Sequence, residues 1–93
     1  MKNLQGKAIL VCGGATGIGA ATARRLSAEG ARVGIGDFNI AGAETVVAEL
    51  NGAGAEAAAW YYDQSEEATI NTLVESAVAH FGRLDGLFAN VAD

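Results

Sequence analysis

The sequence predicts an α/β fold, a Rossmann-like three-layer arrangement. A parallel sheet of about four strands, ordered 3-2-1-4, carries helices on both faces. Three observations lead there. Short apolar runs alternate along the chain with longer stretches whose apolar residues recur at helical spacing. Glycine or Asn-Gly marks most of the junctions, and proline is absent. The first run is apolar throughout rather than alternating, as suits a strand buried on both faces of a parallel sheet.

Lys7 to Cys12, KAILVC, is the first strand, and glycines follow it at once. Ile18 to Glu29 is the first helix. Ile18, Thr22 and Leu26 lie four apart with Ala21 beside them, and small alanines let the helix lie close to a sheet. Gly30 stands in the usual C-terminal position. Ala31 to Gly36 is the second strand. Ile40, Ala43, Val47 and Leu50 space out the second helix, which Asn51-Gly52 closes. Ala57 to Tyr62 is the third strand, although alanine is a poor strand former. Ser65 is placed to cap the third helix, and Glu66 and Glu67 suit its positive end. Ile70, Leu73, Val74, Ala77 and Phe81 form its buried stripe, and Gly82 ends it. Leu84 to Ala89 is the fourth strand.

The resulting order, β-α-β-α-β-α-β, has no linker or repeat. With right-handed crossovers it is the first half of a doubly wound dinucleotide-binding sheet plus the strand just past its switch point. Residues 1–93 are expected to form one dinucleotide-binding half-domain. A net charge of −5 without a Lys/Arg cluster predicts no nucleic-acid or anionic-membrane partner. A single cysteine, Cys12, cannot form an internal disulfide, which points to a reducing, cytoplasmic setting. The N-terminus carries no signal-peptide pattern, and no apolar run is long enough to span a membrane.

The chemistry centres on Gly13-Gly14-Ala15-Thr16-Gly17-Ile18-Gly19, between the first strand and first helix. A phosphate bound there needs close backbone, and therefore small residues, together with the free N–H groups of a helix N-terminus. Gly13, Gly17 and Gly19 meet the first need, and Thr16 adds a hydroxyl. Taken alone, the loop could be an ordinary βα turn; the flanking strand and helix favour phosphate binding. Asp37 follows at the separation expected of an acid that accepts the hydroxyls of an adenosine ribose. Its charge would repel a 2′-phosphate, and no Arg or Lys lies within 13–19 or 36–39, so NAD is expected rather than NADP. The competing role for Asp37 is to start the next helix.

On these residues the chain resembles the short-chain dehydrogenases/reductases of the classical type. The loop is similar to their TGxxxGIG signature, with Cys12 where Thr is usual. Asp63-Gln64 resembles the family's acid after the third strand, which holds the adenine. Phe81 to Asn90, FGRLDGLFAN, resembles the run into the NNAG motif, where Ala89-Asn90-Val91-Ala92 stands in place of Asn-Asn-Ala-Gly. The resemblance implies an NAD-dependent oxidoreductase acting on an alcohol or carbonyl, with NAD held by Gly13, Thr16, Gly17, Ile18, Gly19, Asp37, Phe38, Asp63, Gln64 and Asn90. It places the family's catalytic Ser, Tyr and Lys beyond these residues, so no catalytic residue is assigned. The 93 residues alone are expected to hold a nucleotide without turning over substrate. Tyr61 and Tyr62 have no Lys three or four residues on and are expected as core or sheet-edge residues.

Other residues fit plain roles. His80 closes the third helix where a cation suits its dipole, and no second metal ligand stands at suitable spacing. Cys12 is expected to be buried, Trp60 to fill space under a helix, and Arg24 and Arg25 to form a solvated face. The alternative reading is structural: a truncated or engineered fragment that dimerises through the free edge of the fourth strand, with little or no cofactor binding. A Rossmann domain of another family, binding a nucleotide or methyl donor, is a third reading against which Asp63 and Asn90 argue.

Overall fold

The computed structural model describes residues 4–13, 15 and 17–89, excluding the side chains of Glu67 and Ala68. Seven elements follow one another: β1 (Ala8–Cys12), α1 (Gly17–Ala28), β2 (Arg32–Asp37), α2 (Ile40–Gly52), β3 (Ala57–Tyr61), α3 (Glu67–Phe81) and β4 (Gly86–Ala89). The four strands are parallel and ordered β3-β2-β1-β4, as the alternation predicts.

Two cores lie on opposite faces of this sheet. Val11, Val33, Ile35 and Ala57 meet Ala20 and Ala23 of α1 and Ala43, Val46 and Leu50 of α2. Ala8, Leu10 and Cys12 meet Leu73, Ala77 and Phe81 of α3, with Trp60 packed alongside. The period-two alternation of β1 and β2 sorts their residues between these cores. On β2 the face toward α3 carries Gly34 and Gly36 after Arg32, and those two glycines let α3 sit so close. A Cβ at Gly36 would lie 2.5 Å from Cδ2 of Leu73, and one at Gly34 would lie 2.9 Å from the Trp60 ring. Trp60 also presents an edge to Phe81, with centroids 6.2 Å apart, so it fills space under the helix as expected.

Several boundaries depart from the sequence reading. The buried face of α1 is Gly19, Ala20 and Ala23, whereas Ile18 is 69% exposed. Close helix–sheet approach selects the small side chains and turns the larger Ile18 outward. Ser65 does not cap α3. Its N–H and Oγ both donate to Oδ1 of Asp63, at 2.9 and 2.7 Å, and Glu66 takes the cap position with no side-chain hydrogen bond. An ionised carboxylate attracts these donors more strongly than a helix end attracts a hydroxyl oxygen. α2 closes at Asn51-Gly52, as the sequence predicts. The Asn51 amide also clasps Ala57, accepting from the backbone N–H at 2.8 Å and donating to the carbonyl at 3.2 Å. β2 runs from Arg32 to Asp37, shifted one residue later than expected at each end, while β3 stops at Tyr61. β1 begins at Ala8 rather than Lys7, and β4 begins at Gly86 rather than Leu84.

The base of the sheet is tied by two side chains. Asp85 accepts the Ala8 N–H at 2.8 Å, and its own N–H donates to the Ala8 carbonyl at 2.8 Å. Arg32 donates to the Phe81 carbonyl at the end of α3 and to the Gly6 carbonyl before β1, at 2.8 and 3.2 Å. Arg24 and Arg25 lie on an exposed face but pair with Glu49 and Glu29. No helix among the described residues is long and apolar enough to cross a membrane.

Candidate nucleotide site

At β1 the helices change faces: α1 and α2 cover one side of the sheet and α3 the other. Such a switch point opens a crevice beyond the carboxyl ends of the strands, where ligands of doubly wound sheets bind. Among the described residues, Gly13, Gly17, Ile18, Gly19, Asp37, Phe38, Asp63 and Gln64 follow the carboxyl ends of β1, β2 and β3.

The loop after β1 is pinned to the end of β2 by two hydrogen bonds. Gly13 donates its N–H to the Gly36 carbonyl at 2.7 Å, and Ala15 donates its N–H to Oδ2 of Asp37 at 2.9 Å. Gly13 and Gly17 hold left-handed backbone, with φ of 83° and 60°, which a residue with a Cβ adopts only with strain. The space where a Cβ of Gly17 would stand is open, so backbone at the first turn of α1 can be approached closely. Gly19 is buried against the sheet and serves the seating of α1. Ile18 stays exposed beside it. Thr16 and Asn90 lie outside the described residues, as do Gly14 and Val91 to Asp93.

Asp37 is the hub. Its Oδ1 accepts the Asn39 N–H at 2.8 Å, so each carboxylate oxygen holds one backbone donor. An ionised carboxylate has about four acceptor sites, which leaves room for two further donors such as a ribose diol. Asp37 does not cap α2; Asn39 does, through its Oδ1 and the Gly42 N–H at 3.0 Å. Asn39 is a cap that sequence reasoning missed, although Asn before an apolar-periodic run is a recognised start signal.

Phe38 follows Asp37 and is 69% exposed. Across the ladder, Tyr61 pairs in register with Asp37 and sets its ring 5.9 Å from that of Phe38. Tyr61 is a sheet-edge residue, as expected, at the end of the edge strand β3. The signal was available in the period-two alternation of β3, which groups positions 57, 59 and 61. Asp63 lies just beyond, with Gln64 exposed after it. The donors on Ser65 hold the Asp63 carboxyl below the usual carboxylate range, so it is ionised at neutral pH. Burial pushes up the Cys12 thiol beneath the loop.

A family model described as short chain dehydrogenase matches residues 7–92. The chain belongs to the short-chain dehydrogenase family. It is 44% identical over 92 residues to a 2,5-dichloro-2,5-cyclohexadiene-1,4-diol dehydrogenase of Sphingobium indicum, covering 99% of this chain and 36% of that protein. It is 34% identical over 91 residues to a 7alpha-hydroxysteroid dehydrogenase of Bacteroides fragilis, covering 98% of this chain and 35% of that protein. The crystal structure of a hydroxysteroid dehydrogenase from Escherichia coli superposes with a TM-score of 0.93 at 31% identity, over 97% of this chain and 38% of the other. The chain thus spans about a third of the length of the relatives it matches, and within them it corresponds to the Rossmann-fold segment described above.

Proposed function

We propose that this chain is the NAD-holding segment of an oxidoreductase that interconverts an alcohol and a carbonyl. The observation that carries the reading is Asp37. The glycine-loop N–H of Ala15 fixes its carboxylate before the start of α1, and among the described residues each carboxylate oxygen holds one backbone donor and keeps room for another. The residues present fit a dinucleotide. Gly13 and Gly17 give backbone access for a pyrophosphate, Asp37 accepts the ribose hydroxyls, and Asp63 stands at the adenine end with Phe38. When bound, NAD supplies the hydride acceptor or donor for the reaction. The chain's own part is to bind and orient. No Ser, Tyr and Lys set is assigned within it, and the 93 residues alone hold nucleotide without turning over substrate. A cytoplasmic setting goes with this reading, as does the lone reduced thiol of Cys12.

Leu87 and Phe88 on β4 are exposed, which is the observation behind the alternative of self-association through that edge. The greater length of the relatives favours instead the continuation of a longer chain across it.

Asp37→Asn tests the nucleotide assignment, because it keeps the shape of the side chain and removes its charge. Two charge-assisted hydrogen bonds of about 1.5–3 kcal/mol each are weakened, so NAD affinity should fall by at least about tenfold. NADP affinity should hold or rise as the repulsion of its 2′-phosphate is lifted. Unchanged affinity for both would remove Asp37 from the site.

A further inference from the structure

Two large aromatic side chains stand exposed side by side where β2 and β3 end: Phe38 at 69% and Tyr61 at 48%, with ring centroids 5.9 Å apart and planes inclined by 47°. Such a pair leaves apolar surface in water that a flat ligand ring could cover. The pair is flanked by carboxylates, with Asp37 the register partner of Tyr61 and Asp63 two residues beyond it. The phenol O–H of Tyr61 donates to Oδ2 of Asp63 at 3.4 Å, while Ser65 supplies both donors to Oδ1. The Asp63 carboxylate is therefore held from both sides, by Ser65 at one oxygen and by the ring-bearing Tyr61 at the other.

We propose that Tyr61 is a positioning residue for the purine: its ring and Phe38 form the shelf on which the base lies, and its hydroxyl aims the Asp63 carboxylate at the exocyclic amino group of adenine. The proposal rests on the nucleotide reading above and adds a determinant of base identity to it. A carboxylate oxygen accepts from the adenine amino group but meets a carbonyl oxygen in hypoxanthine, where like partial charges face one another. Holding Asp63 in one orientation sharpens that discrimination. A freely rotating carboxylate could turn away from the wrong base and let it bind.

The test is calorimetric titration of the 93-residue chain and its Tyr61→Phe and Tyr61→Ala variants with NAD and with nicotinamide hypoxanthine dinucleotide. Far-UV circular dichroism checks that each variant is folded. Wild type should prefer NAD. Tyr61→Phe keeps the ring, so affinity for the hypoxanthine form should stay within about twofold, while the preference for NAD shrinks by about two- to tenfold, the loss of one hydrogen bond. Tyr61→Ala removes the shelf as well and should weaken both ligands by a further factor of about five or more, the scale of base–aromatic stacking. If wild type binds both dinucleotides and Tyr61→Phe leaves the preference unchanged, the nucleotide reading stands and the assignment of Tyr61 is overturned. If Tyr61→Ala binds like wild type, the shelf is overturned. If wild type binds neither, the underlying reading falls and this inference falls with it.

Discussion

Replacing Gly36 with alanine puts a methyl group into the contact that seats α3. An ideal Cβ there would stand 2.5 Å from Cδ2 and 2.9 Å from Cδ1 of Leu73, against an ordinary separation of about 3.5–4 Å. Relief requires a shift of roughly 1 Å. Leu73 has little room to give way, since it is 1% exposed beneath the sheet. Overpacking of this kind costs about 1–3 kcal/mol. Removing a glycine from a strand interior returns about 0.5–1 kcal/mol; the 2.5 Å approach to Leu73 puts the clash in the upper part of the overpacking range, about 2–3 kcal/mol, so a net loss of about 1–2 kcal/mol is expected. In a domain of this size that lowers Tm by about 4–15 °C. The same residue supplies the carbonyl that anchors Gly13 at 2.7 Å, so nucleotide affinity should fall alongside stability. Urea unfolding followed by circular dichroism measures the effect. The control is a double-mutant cycle with Leu73→Ala, which alone costs about 2–5 kcal/mol. The added methyl then occupies part of the space left by Leu73, so the double variant should be more stable than additivity by at least about 0.5 kcal/mol. Wild-type stability in Gly36→Ala, or strict additivity in the cycle, would refute the claim that the glycine face of β2 seats α3.

Two further predictions concern the base of the sheet. Arg32→Met, which loses both carbonyl contacts and the guanidinium placed 5.5 Å from the Phe81 ring centre, should cost about 1–3 kcal/mol in urea unfolding. Arg32→Lys should restore little of it, because a lysine cannot span two carbonyls with a planar fork; a lysine variant as stable as wild type would contradict this. Asp85 has its carboxyl held below the ordinary 3.8, first by the Ala8 N–H and then by Arg83. A folded-state value below the unfolded one means stability that is present above pH 3.8 and lost as pH falls through the folded value. Asp63 titrates with the same sign, so the effect of Asp85 is read as the difference between wild type and Asp85→Asn. That difference should favour wild type at pH 7 and close toward pH 2, and a gap independent of pH would contradict it.

The strand order, the two-faced arrangement and the glycine turn after β1 were legible because they rest on strong signals. Those signals are strands and helices in strict alternation, glycines at the βα turn and an acid at the end of the second strand. What escaped was decided by competition between near neighbours. Apolar spacing read the large Ile18 as the inner face of α1, yet close packing selected Gly19, Ala20 and Ala23. Ser65 had the chemistry of a cap, but the Asp63 carboxylate two residues earlier captured it. Asn51 closes α2 with Gly52 as its type predicts, and its amide also ties the helix to the edge strand, a contact set by the fold. Tyr61 was legible as a core or sheet-edge residue and does end the edge strand, but its ring contact with Phe38 and its hydrogen bond to Asp63 exist only once β2 and β3 are in register. In each case residue type was informative, and the partner was set by tertiary geometry.

The most direct test of the central claim is a calorimetric titration of the wild-type chain with NAD, with NADP as control. The account predicts saturable binding of NAD and weaker binding of NADP by at least about tenfold, a difference of about 1.4 kcal/mol set by the negative charge of Asp37. A folded chain that bound NADP at least as tightly as NAD, or that bound neither, would contradict it.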